Sequence, residues 1–295
     1  MTGHAKGLLL TSLGVLVITP DALLIRLITV DPWTLTFWRG LLSAIGLAAG
    51  LALLYRGRFL PMMAGIGAMG LLIGAVFGLG TVTFVWAMTH TTAANTLLIV
   101  STGSMFGALF SWLLMREKLA RRTLLAMIGT LVGLLVLVAG DLGGGRWDGD
   151  LSALATAALA GLTFSLVRKY SGIDMVPSLI FGGIVTAAVA LPFSAPVAVL
   201  PEDVVLLAIM GLAMMPLSFA LQFVGARYIP APEVSLLILL EAVLAPLLLW
   251  LVLAEHPGPT ALPGGAIVLL SLGLNAALGL RRSRPLLQVT PDRRA

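Results

Sequence analysis

A chain of 295 residues with 59% apolar and 11% charged side chains cannot clothe a water-facing surface, because a soluble domain carries about 25% charged residues. The absence of Cys excludes a disulfide framework, a thiol nucleophile and a Cys-ligated metal. The formal charge of +5 does not point to nucleic acid, because the basic residues sit in short clusters between apolar runs, the pattern that orients membrane proteins.

A membrane-spanning helix needs about 20 mostly apolar residues. In chain order the sequence predicts ten: Gly7–Leu27, Trp33–Leu54, Met62–Met88, Thr92–Leu114, Thr123–Gly140, Leu151–Tyr170, Val176–Phe193, Val204–Ala226, Ala231–Leu253 and Leu262–Leu280. Asp31-Pro32 separates the first two, Arg56-Gly57-Arg58 the next two, and Gly143-Gly144-Gly145 opens the longest polar loop. Pro192, Pro196 and Pro201 break the chain after the seventh. A barrel wall would show strict two-residue alternation, which these runs lack. No cleavable leader is expected, since the first run has no A-x-A exit and is followed by many others.

With the N-terminus placed in the cytoplasm, 15 of 18 basic residues fall on the inner side, the outer loops carrying only Arg146. That bias favours an even number of spans with both termini cytoplasmic in a bacterial-type inner membrane.

The two halves resemble each other. Ala87–Leu119 set against Gly225–Pro257, 138 residues later, pairs Ala93 with Ala231, Leu98 with Leu236, Trp112 with Trp250, Leu113 with Leu251 and Glu117 with Glu255. The turn after the first copy holds Arg116, Lys118, Arg121 and Arg122, and the turn after the second holds no basic residue. Five spans per half, an odd number, forces the halves to insert in opposite senses, so these turns lie on opposite sides. Inverted repeats of this kind typify secondary transporters, with the substrate site near the midplane between repeats. The expected fold class is therefore all-α integral membrane, ten transmembrane helices as two inverted five-helix repeats: repeat 1 over residues 1–140, an external linker 141–149, repeat 2 over 150–282 and a cytoplasmic tail 283–295.

The same segments resemble the drug/metabolite transporter superfamily, specifically proteins built from two EamA-type five-helix domains. The family's pattern of a small residue, then T/P-A five positions on, then an apolar helix ending near L-L-x-G-E stands here as Ala87, Thr92-Ala93 and Leu113 to Glu117. It stands again as Gly225, Pro230-Ala231 and Leu251 to Glu255. The usual Gly before Glu is replaced by Arg116 and Ala254, and the common Trp-Gly of the first helix by Thr19-Pro20-Asp21. The resemblance implies the fold and a transport function, usually export, and says little about substrate.

Ionisable residues inside spans are candidates for function by default. Glu241 lies about ten residues into the ninth run, roughly 15 Å deep. It reads either as a hydrogen-bonded structural residue or as a substrate-cation or proton site. Asp21 follows Pro20, which removes a backbone donor and should kink or unwind the first helix. Arg39 lies at a similar depth on the next helix, so the two form either a structural pair or a site that holds a substrate carboxylate on Arg39. Trp38 beside it could line a pocket. In the fourth run Ser101, Thr102 and Ser104 flank Gly103, the counterpart of Glu241 in the repeat register. These face Glu241 across the axis or serve helix packing. Asn95 and Gln222 are weaker candidates of the same kind, as is Asn275. The three His are scattered and receive no chemistry.

An intramembrane enzyme needs clustered His, Asp, Ser or Cys near one interface. The chain has no paired His, no H-E-x-x-H and no carboxylate cluster, and no P-loop for ATP. The expected function is a secondary active transporter, as exporter, of a small polar metabolite (an amino acid, amine or other zwitterion or cation), working by alternating access. The alternative is a membrane-embedded enzyme or scaffold. The expected partners are the small-molecule substrate, membrane lipid and protons as candidate coupling ion, with no nucleic acid. A monomer or homodimer is expected, without cofactor or metal.

Overall fold

The computed structural model describes residues 3–91, 96, 99–100, 102–138, 147–197, 199–253 and 261–282. Ten spans are laid out as two inverted five-helix repeats. The first span is two helices, Gly3–Ile18 and Asp21–Leu27, divided where Pro20 cannot continue the ladder of amide donors. The second, Pro32–Tyr55, starts on an Asp31 cap whose carboxylate accepts the amides of Trp33 at 2.9 Å and Thr34 at 3.1 Å. The third is Gly67–His90, set apart from a short helix, Phe59–Gly65, by Gly67 at φ 56°. The apolar run in the sequence places its start at Met62, inside that short helix; the left-handed turn that only Gly takes without strain is what divides them.

The fourth span includes Gly103–Met115, the fifth is Arg121–Val138 and the sixth Trp147–Lys169. The seventh, Ser178–Ala190, ends in a tight turn at Leu191–Phe193. The eighth runs Pro201–Ala226, with a wider π-helical stretch at Ile209–Met214. The ninth is again two helices, Ala231–Ile238 and Leu240–Leu253, and the tenth is Ala261–Arg282.

The packing repeats the internal symmetry of the sequence. The first span lies on the eighth as the sixth lies on the third. The second packs on the seventh, the fourth on the ninth and the fifth on the tenth, each the counterpart of its partner. At the contact of the second and seventh spans a Cβ on Gly40 would stand 2.7 Å from the Gly183 carbonyl oxygen, and one on Gly183 2.6 Å from that of Gly40. Only paired glycines permit that approach. Leu9, Leu53, Leu125 and Leu270 face outward, as they must where the solvent is lipid.

The end of the bundle holding Gly3 and Arg282, here called the terminal end, is tied by charge. The Glu233 carboxylate, 1% exposed, takes His4 Nε2 at 2.8 Å and Arg122 Nη2 at 2.8 Å. Arg168 donates to the Arg227 carbonyl at 2.7 Å, and Lys6 to the Tyr228 hydroxyl at 3.2 Å. The opposite end is held by hydrogen bonds. Asp203 accepts the Thr29 hydroxyl at 2.7 Å, and the Thr34 hydroxyl accepts the amide of Ala195 at 2.8 Å.

Candidate functional site

Two helix breaks sit close to equivalent points of the two repeats. The Thr102 amide bonds the Ile99 carbonyl at 3.0 Å just before Gly103 opens its helix. The Leu239 amide bonds the Leu236 carbonyl at 3.2 Å just before Leu240 and Glu241 open theirs. In the repeat register the two turns coincide to within one residue. Half-helices that begin inside a membrane turn their amide ends, and the positive end of the peptide dipole, toward the midplane. Glu241 therefore occupies the first turn of a helix, where a carboxylate is favoured.

A cavity of about 160 Å³ lies between the repeats. Its charged lining consists of Asp21 and Arg39 from the first and second spans and Glu241 from the ninth. Gln222, Thr81, Thr156 and Thr163 add polar groups, and Phe77, Phe84, Phe164 and Phe219 form an aromatic wall. The Phe77 ring meets Phe219 edge-on at 4.8 Å, which fixes both planes. Gln222 Nε2 donates to the Ser218 hydroxyl at 2.9 Å. The Thr163 hydroxyl is buried with no partner among the described residues.

Asp21 and Arg39 form a pair. Arg39 Nη1 donates to the two Asp21 oxygens at 2.8 Å and 2.9 Å and touches Met210 Sδ at 3.3 Å. Both side chains are about 95% buried. Pro20 makes this possible, because the break it causes starts a new helix at Asp21 and points that side chain into the bundle. Among the described residues no cation lies within ion-pair distance of Glu241.

Of the residues singled out in the sequence, the structure gathers Asp21, Arg39, Glu241 and Gln222 around one cavity. Trp38 is not in its lining; its indole Nε1 donates to the Pro196 carbonyl at 3.3 Å, because the side chain points toward the loop after the seventh span. Thr102 and Ser104 also lie outside the lining, where Val100 takes the place expected of that polar patch. The Thr102 hydroxyl is spent on the Ile99 carbonyl at 2.6 Å. Ser101 and Asn95 lie outside the described residues.

Two features escape sequence reading. The four Phe are unremarkable in an apolar chain, and only tertiary packing brings them together from the third, sixth and eighth spans. Glu233 looks like a span-edge residue three places after Pro230, yet it is the most heavily paired acid among the described residues, and His4, assigned no chemistry, is one of its partners. Its position between two prolines and a conspicuously apolar run was the available signal.

A model of the EamA-like transporter family matches residues 5–139 and 147–277. A crystal structure of a protein 20% identical aligns over 94% of this chain and 99% of its own, with a TM-score of 0.77, so the fold is shared along the whole length. Among curated proteins no sequence match is found.

Proposed function

Since the chain belongs to the EamA-like transporter family and is a multi-pass membrane transporter of the drug/metabolite type, we propose that it exports a small polar metabolite through the central cavity by alternating access, with protons as coupling ion. The observation that carries this reading is the cavity itself. It lies between inverted repeats, is bordered by a helix broken inside the membrane, and holds an acid without a cationic partner among the described residues. Substrate and proton compete for the Glu241 carboxylate. One repeat rocks against the other, so that the charged tie at the terminal end and the hydrogen-bonded tie at the opposite end open in turn. The terminal end faces the cytoplasm on this reading, since it carries the basic clusters. The membrane would be the inner membrane of a bacterial-type cell.

The family match favours transport over an enzyme reading. The deciding experiment uses proteoliposomes with an imposed pH gradient. Glu241→Gln should abolish pH-driven transport while the protein elutes and melts like wild type. Transport with unchanged rate and pH dependence in that variant would leave Glu241 a structural residue.

A further inference from the structure

The charge balance of the cavity narrows the substrate class, and this narrowing rests on the cavity being the transport site. We propose that the site takes a monovalent cation with an apolar or aromatic body, an amine rather than a zwitterion or an acid.

Three charged groups line the cavity: Asp21, Arg39 and Glu241. Arg39 is already committed, since its Nη1 holds both oxygens of Asp21 at 2.8 Å and 2.9 Å in a pair that is almost wholly buried. Its Nε is buried as well and has no partner among the described residues. A substrate carboxylate drawn to Arg39 would have to share one guanidinium with Asp21, placing two carboxylates on a single cation in a buried site. The pair therefore contributes no net charge to the cavity. Glu241 is what remains, and an ammonium group satisfies it. A zwitterion would bring a third carboxylate to a cavity whose single cation is already balanced by Asp21, and excess buried charge is strongly disfavoured.

The rest of the wall fits the other end of such a molecule. Phe77, Phe84, Phe164 and Phe219 offer flat apolar faces, and rings also attract a cation at their faces. Thr156, Thr163 and Gln222 can satisfy the remaining N–H donors of an ammonium through oxygen acceptors.

Three probes with one aromatic body separate the possibilities: phenethylamine, phenylalanine and 3-phenylpropionate, titrated against the detergent-purified full chain by thermal shift. Phenethylamine should stabilise at concentrations about tenfold or more below the other two, and the response should vanish in Glu241→Gln and persist in Glu241→Asp. Phenylalanine or 3-phenylpropionate stabilising as well as phenethylamine overturns the charge selection, and so does the absence of any response. The ranking is read on wild type, so it does not depend on either variant folding. Pooled-metabolite counterflow keeps the two claims apart. Transport of a zwitterion that Glu241→Gln abolishes leaves the transport site standing and the cation selectivity overturned. Transport that is indifferent to Glu241→Gln overturns both.

Discussion

At the scale of single residues, local geometry decides which side chains are free to act. Asp31 is spent on capping. Slight burial works to raise its pKa, but the Thr34 side chain and the Thr34 and Trp33 amides outweigh it and hold the carboxyl below the usual carboxylate range. Asp31→Ala should cost about 1 kcal/mol of stability, the ordinary worth of an N-cap. A carboxyl whose folded pKa is depressed stabilises at all pH values above its unfolded titration, and loses that contribution as pH falls through the folded value. The difference in melting temperature between wild type and variant should thus be flat near neutrality and close only in strong acid. A difference that grows on acidification would contradict the assignment. Arg116 shows another local constraint. It ends its helix at φ 58°, the left-handed position that suits Gly, and its guanidinium lies 5.4 Å from the Trp112 ring centroid. The usual Gly of the family pattern is thus explained by backbone shape, and so is the cost of departing from it.

At the scale of elements, helix breaks and close contacts set the geometry of the cavity. The breaks in the first and ninth spans deliver Asp21 and Glu241 to the interior, where continuous helices would direct the chain's polarity only to its ends. The seventh span is held to the second through the facing glycines. Gly40→Ala would place a methyl group 2.7 Å from the Gly183 carbonyl oxygen and 2.8 Å from the Ala187 amide nitrogen, both backbone atoms that cannot swing aside. The expected loss is about 1–3 kcal/mol, read as a lower melting temperature in detergent, whereas Gly57→Ala, where a Cβ meets nothing within 4 Å, should be near neutral. Equal effects of the two substitutions would remove the close contact as the cause.

At the scale of the whole molecule, the terminal end is closed by a charged hub. Glu233 joins the first span to the fifth and the ninth, so it bridges the two repeats. The network is not fully satisfied, because His4 Nδ1 and Arg122 Nη1 are buried without partners among the described residues. Unmet buried polar groups cost about 1–3 kcal/mol each, which offsets part of what the ion pairs contribute and keeps the closed end openable. Glu233→Gln should therefore favour opening at the terminal end. The chain has no Cys, so a single Cys at Ser111, in the lining of a cavity beside Glu233, reports on that opening. Thiol labelling should be several-fold faster in the Glu233→Gln background; an unchanged rate would reduce the network to a static brace. Reporter fusions at Arg282 and in the loop 143–150 should report opposite compartments. A shared compartment would be incompatible with ten spans and a cytoplasmic C-terminus.

The number and order of the spans, the inverted repeat and the choice of Asp21, Arg39 and Glu241 as charged groups within the spans were all legible in the sequence. Each follows from apolar run length, basic-residue placement and residue counting along a helix, quantities that need no knowledge of neighbours. The family pattern was legible for the same reason, being made of residues that shape local backbone. What only the tertiary structure decided is which of those deep groups is already paired and which faces open space. Depth along a helix says nothing of rotation about its axis, so Trp38 and Ser104 were as eligible as Gln222 until the spans were packed. The aromatic wall and the Glu233 hub depend on residues more than a hundred positions apart meeting through interlocked helices, and that contact is a property of the bundle rather than of any one run.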